Sequence, residues 1–192
     1  MKKDSKPHFI KSGLIVILFS AGLIVIDQIA KLLVSTNLKG NPSLVLLDGV
    51  FELYYYENPY AAFNFGKFID ENIFLTLVLI LTAVFCGFLI YISFRIPPVK
   101  KYRIVRIILI LFLAGALGNF IDRITHHYVV DFFYFVLINF PIFNIADIYV
   151  VFGAILFIVT ALFHSSTFEE LFPSKKKEEK ESQKKDQKED GK

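Results

Sequence analysis

One cysteine, Cys86, stands in the 192 residues, so no intramolecular disulfide can form and a thiol framework is excluded. It falls midway along an apolar run, where packing is its expected role. GxSxG and HExxH are both missing, which leaves the common serine-hydrolase and zincin mechanisms without support. No internal repeat is visible. Residues 73–94 (IFLTLVLILTAVFCGFLIYISF) hold no charge at all, and a run of that length crosses a hydrocarbon core of ~30 Å.

What the chain does have is apolar surface. It is 55% hydrophobic with 22 Phe and a mean hydropathy of +0.55, above the ~45–50% apolar share of soluble domains. The excess collects into four expected spans, residues 13–34, 73–94, 104–121 and 145–163. The first is longer than the ~7–15-residue core of a secretory signal, and no small-residue cleavage site follows it. It is therefore read as a retained span. The expected fold class is an all-α membrane protein of four transmembrane helices with a small β-sheet on its outer face. Residues 13–163 form that domain, between a basic N-terminus (1–12) and a charged tail (164–192). Within the tail, residues 174–192 contain no apolar side chain, so they cannot bury a core and are expected to be disordered. A solvated tail is the plainer reading; lysines touching anionic lipid headgroups is the other.

Charge placement orients the frame. Lys2, Lys3, Lys6 and Lys11 precede the first span, and Arg95, Lys100, Lys101 and Arg103 fill the link between the second and third. The segment at 35–72 carries Asp48, Glu52, Glu57, Asp70 and Glu71 against Lys39 and Lys67. Basic residues mark the cytoplasmic side, which puts both termini inside and residues 35–72 and 122–144 outside. Tyr54, Tyr55, Tyr56, Tyr60, Tyr128 and Tyr134 all fall in the outer segments, as an interfacial aromatic belt requires. SLVLL (43–47) and VFELYYY (50–56) flank Asp48-Gly49, a turn between two β-forming runs. They lead into ENPYAAFNFG (57–66), where Pro59 biases Asn58 towards an extended backbone.

The same topology gathers the polar residues. Asp27 and Lys31 end the first span, Asn119, Asp122 and Arg123 end the third, Asp131 follows, and Asn144 and Asp147 open the fourth. Six of these eight are ionisable, and an acid within a span defaults to a functional hypothesis. Bland readings compete. Asn144 and Asp147 form a capping-box-like pair. Asp27 and Lys31 form an i,i+4 ion pair. Asp122 and Arg123 can fix the end of the third span. His126 and His127 lack a Cys or Glu at ligand spacing, which argues against a metal. Asp131, inside YVVDFFYF (128–135), has no basic neighbour in sequence, and apolar surroundings push an acid's pKa up. Were it to face Asp147, the two could not both ionise; one would stay protonated while the other served as a base. An aspartic peptidase needs that arrangement. The rival is a non-enzymatic scaffold or small transporter subunit, in which the polar cluster only knits helices together.

IDQIAK (26–31), ENPYAAFNF (57–65), GALGNFIDR (115–123), VVDF (129–132) and FNIAD (143–147) together resemble the lipoprotein signal peptidase (signal peptidase II) family over residues 14–163. The resemblance implies an intramembrane aspartic endopeptidase of the bacterial inner membrane that needs no metal or cofactor. Its expected substrates are prolipoproteins, cut before a diacylglyceryl-modified Cys. By the same match Asp131 and Asp147 are the expected catalytic pair. Asn58, Asn119, Asp122, Arg123 and Asn144 support the site or hold substrate, and Asp27 and Lys31 brace the first span. Membrane lipids are expected partners, nucleic acid is not, and a monomer is expected. The family usually has Gly at position 60, Gly or Ser at 64 and often Gly at 114, where this chain has Tyr60, Asn64 and Ala114. A positive φ at position 60 would suit Tyr poorly.

Overall fold

The computed structural model describes residues 6–60, 68–163 and 171. Four long helices run α1 Lys6–Leu38, α2 Glu71–Ser93, α3 Arg103–His126 and α4 Ile145–Phe163, with strands β1 Leu44–Leu47, β2 Phe51–Asn58 and β3 Val129–Phe135. All four helices are long and apolar enough to cross a membrane. The molecule is thus mostly helical with one small antiparallel sheet of order β1-β2-β3. The tail at 174–192, Lys2 and Lys3, and Ala61, Ala62 and Asn64 lie outside the described residues.

The helices outrun the apolar stretches that announce them. α1 continues to Leu38 beyond the expected 34, and α3 to His126 beyond the expected 121. Backbone hydrogen bonding carries on through polar residues, so Asp122 and Arg123 are helical. α3 stops where His127 takes a left-handed φ of 69° and its N–H bonds back to the Arg123 carbonyl. α2 begins at Asp70, whose side chain accepts from the N–H groups of Asn72 and Ile73, a standard N-cap.

α3 packs against the other three helices. Its buried side at Val105, Ile108, Leu109, Leu113, Ala114, Gly115, Gly118 and Asp122 follows the three-and-four spacing of one helix face. Val16, Cys86, Leu89 and Ile96 complete the main core with it. The outward faces are apolar instead: Leu81 and Val84 of α2 are each 67% exposed, as lipid-facing positions are. Two glycines set how closely α3 approaches its neighbours. A Cβ at Gly115 would sit 2.5 Å from the Ala146 carbonyl oxygen, and one at Gly118 would sit 2.7 Å from Asp27 Oδ2.

The expected sheet had two strands. The third comes from the link between α3 and α4, whose VVDFFYF run is a strand packed on α1 through Val130, Phe132 and Val34. Its pairing with β2 breaks between Leu53 and Tyr56: Leu53 opposes Phe133, but Tyr56 opposes Asp131. That bulge moves the register by one residue, and a one-residue shift exchanges the two faces of a strand. It brings Tyr56, and two residues on Asn58, to the face of Asp131. Without it Glu57 would take the place of Asn58.

Substituting Gly115→Ala should lower Tm in detergent by several degrees, from an overpacking cost of ~1–3 kcal/mol. Gly87→Ala, where a Cβ meets nothing within 4 Å, should leave Tm unchanged or raise it. Equal responses of the two variants would refute the close α3–α4 contact.

Candidate active site

A carboxylate removed from water keeps its charge only if its oxygens are given donors. Asp131, within β3, is 2% exposed. Its Oδ2 accepts from Asn58 Nδ2 at 2.8 Å and its Oδ1 from Asn144 Nδ2 at 2.6 Å. Asp147 lies in the first turn of α4. Its Oδ1 accepts from Asn119 Nδ2 at 2.8 Å and its Oδ2 from the Asn144 backbone N–H at 3.0 Å. The Asp147 N–H returns a bond to Asn144 Oδ1 at 3.0 Å, so the capping box is real and reciprocal. The same Asn144 reaches Asp131. The cap and the paired-carboxylate reading are therefore one arrangement. Among the described residues neither acid has an ion-pair partner.

Both acids line one cleft of about 780 Å³ together with Asn58, Tyr60, Asn119 and Arg123, and with an apolar wall from Phe140, Ile142, Ile148 and Val151. Burial pushes the Asp131 carboxyl up to about 7, and the charge of Asp147 adds to it. The amide donors of Asn58 and Asn144 and the charge of Lys31 pull the other way. Asp131 thus exchanges its proton near neutral pH, and Asp147 stands beside a helix N-terminus.

Behind the cleft lies a second cluster. Lys31 Nζ sits 2.9 Å from Asp27 Oδ2 and 2.9 Å from Asp122 Oδ2, and it donates to Asn119 Oδ1 at 3.0 Å. The expected Asp27–Lys31 pair is present, with Asp122 added to it. Asp27 Oδ1 accepts the Ala146 N–H at 2.9 Å, and Asp122 Oδ2 accepts the Val130 N–H at 3.1 Å. These two acids thereby fasten α1 and α3 to α4 and β3. Gln28, unremarked in the sequence, donates to Asp122 Oδ1 at 2.9 Å and to the Gly118 carbonyl at 3.2 Å. A polar side chain beside Asp27 in an apolar run was the available signal.

Arg123 donates through one terminal nitrogen to the Tyr60 carbonyl at 3.2 Å. Tyr60 is held at several points. Its N–H donates to Asn58 Oδ1 at 3.1 Å, and its hydroxyl donates to Glu71 at 3.1 Å. Its ring lies 6.1 Å from that of Phe74. Among the described residues the non-glycine positions with positive φ are His127 and Asn139, so Tyr60 occupies its place without the strain a lost glycine could have caused. His126 stacks on Tyr128 at 5.6 Å, and no group of three His, Cys, Asp or Glu among the described residues could hold a metal.

Four candidate spans enclosing two cleft-lining carboxylates on amide donors define a multi-pass membrane protein with the parts of an acid–base site. Residues 19–163 match the family described as signal peptidase (SPase) II. The lipoprotein signal peptidase of Clostridium tetani is 37% identical over 71% of this chain and 85% of its own. That of Bacillus subtilis is 37% identical over 74% and 90%. A bacterial membrane enzyme solved by the in meso method at 2.3 Å resolution superposes with a TM-score of 0.66 at 30% identity, covering 79% of this chain and 89% of its own. The chain belongs to the signal peptidase II family, and is an aspartic peptidase of the membrane.

Asn58→Ala should move the titration of Asp131 upward from about 7. An N–H on the ionised form is worth ~1.5–3 kcal/mol, so its loss raises proton affinity by roughly tenfold or more. Difference infrared spectroscopy of the carboxyl band, assigned with Asp131→Asn, reads this directly. A titration that stays put or moves down would refute the Asn58 contact.

Proposed function

We propose that this chain removes signal peptides from prolipoproteins at the Asp131–Asp147 pair, cutting before the lipid-modified Cys. The observation that carries the reading is the pair itself: two acids on one cleft, linked through Asn144 and held by neutral amides. Asp147 is the base. It takes a proton from a water whose oxygen attacks the scissile carbonyl carbon. Asp131, holding its proton, donates it to the carbonyl oxygen as charge develops there. The C–N bond then breaks, the amine nitrogen takes the proton now on Asp147, and a hydroxyl proton returns to Asp131. Both acids end as they began. Proton transfers of this kind contribute ~10²–10⁴ in rate each.

The pair lies beside the N-terminus of α4 and the sheet, at one end of the bundle. With both termini cytoplasmic, as the basic flanks favour, that end is the outer face. A signal peptide emerges from the bilayer at such a level, so water reaches the peptide bond while the lipid stays among lipids. The apolar wall of the cleft suits that substrate. Asn58, Asn119 and Asn144 hold the two acids, Arg123 positions the Tyr60 strap, and Asp122, Asp27 and Lys31 brace the frame.

Asp131→Asn and Asp147→Asn, purified in detergent with a diacylglyceryl-modified precursor, should each lose ~10²-fold or more of cleavage while keeping Tm within a few degrees. A gel assay for released signal peptide reads the first and thermal unfolding the second. A folded variant that still cleaves well would sink the assignment of its acid.

A further inference from the structure

An asparagine amide turned end for end keeps its shape but exchanges donor for acceptor. Whether it supports a carboxylate or repels it depends on what holds its oxygen. Three amides serve the acid pair, and each oxygen is held by a donor. Asn58 Oδ1 accepts the Tyr60 N–H at 3.1 Å, and Asn144 Oδ1 accepts the Asp147 N–H at 3.0 Å. Those donors are backbone groups, present in any sequence with this fold. Asn119 differs. Its oxygen accepts from Lys31 Nζ at 3.0 Å and from Asn144 Nδ2 at 3.0 Å.

The Asn144 donor is overcommitted. Its two protons face Asn119 Oδ1 at 3.0 Å, the Val130 carbonyl at 3.4 Å and Asp131 Oδ1 at 2.6 Å, and the shortest of these belongs to Asp131. Lys31 is left as the undivided control on Asn119. An ammonium has three donors and no acceptor. Here the three point at Asp27, Asp122 and Asn119, in a residue 3% exposed. Such a group donates to the amide oxygen and rejects its NH₂. Without it, Asp27 and Asp122 would become the strongest acceptors beside Asn119. The NH₂ would turn to them and leave a carbonyl oxygen against Asp147.

We infer that Lys31 is a positioning residue for the cleavage reaction: through Asn119 it fixes the amide orientation that presents an N–H to Asp147, beyond pairing charges between α1 and α3. This rests on the reading of Asp147 as the base.

The test is a double-variant cycle on the full chain, in an Asp27→Asn background, so that the cluster without its ammonium carries the same net charge as in the unsubstituted chain. In that background Lys31→Met should lower kcat by about 10²-fold, the scale of a misplaced catalytic geometry, with KM within about twofold and Tm close to that of Asp27→Asn alone. Asn119→Ala should cost a similar factor in the presence of Lys31 and less than about threefold more in its absence, because residues acting through one contact are not additive. Unchanged kcat in the Lys31→Met variant would overturn the assignment, as would an Asn119→Ala loss of equal size in both backgrounds. Lys31→Gln is the substitute where Met does not fold. If neither folds, Lys31 is structural alone and the assignment falls. Failure of the base reading is seen separately, as cleavage by Asp147→Asn; additive losses with that variant inactive would defeat the Lys31 role only.

Discussion

A helix that begins inside a membrane protein must find partners for its first N–H groups, because no bulk water is there to take them. α4 solves this with Asn144 and Asp147, each accepting the other's backbone N–H. The remaining polar architecture follows from that reciprocal cap. Asn144 Nδ2 extends to Asp131 on β3, Asp147 draws Asn119 from α3, and the Ala146 N–H next along the turn is taken by Asp27 of α1. One helix start therefore fixes the relative placement of three helices and a strand. A cap is typically worth ~1 kcal/mol; here the same atoms also set the spacing of two acids.

Close approach makes the reach possible. Asp27 meets the Ala146 N–H across Gly118, where a Cβ would fall 2.7 Å from the carboxylate oxygen, and α4 slides in beside Gly115. Small residues at helix contacts are the usual means of packing in lipid, where apolar side chains gain little by leaving their surroundings. The glycines in GALGNFIDR thus belong to the polar site as much as the asparagine and the acids do: they let the donors come within bonding distance.

Much of this was legible in the sequence because its signals are local. Four apolar runs gave the spans, the i,i+4 spacing gave Asp27–Lys31, and the three-residue step from Asn144 to Asp147 gave the cap. Asp131 stood out as an acid in an aromatic run. What escaped depends on register and depth. VVDFFYF reads as an apolar run because both faces of β3 are covered, so period-2 alternation is lost; only its β-branched and aromatic content hinted at a strand. The bulge near Leu53 that turns Asn58 rather than Glu57 towards Asp131 has no sequence mark. Nor does the sharing of Lys31 between Asp27 and Asp122, which are far apart along the chain and meet only when α1 lies against α3.

Four buried or half-buried acids sit in this region, and the protein treats them in two ways. Asp27 and Asp122 share a cation, accept backbone N–H groups and are sealed at 0% and 2% exposure. Such acids knit helices together, which is all that a scaffold would ask. Asp131 and Asp147 are given neutral amides, and they line a cleft. A lysine in direct contact would hold both as carboxylates and bar the exchange of protons, whereas an amide supports an anion and tolerates its acid. A polar cluster built only for cohesion has no use for that distinction. The contrast between the cation-bound pair and the amide-bound pair therefore favours chemistry at the cleft, with cohesion the part of Asp27 and Asp122 behind it.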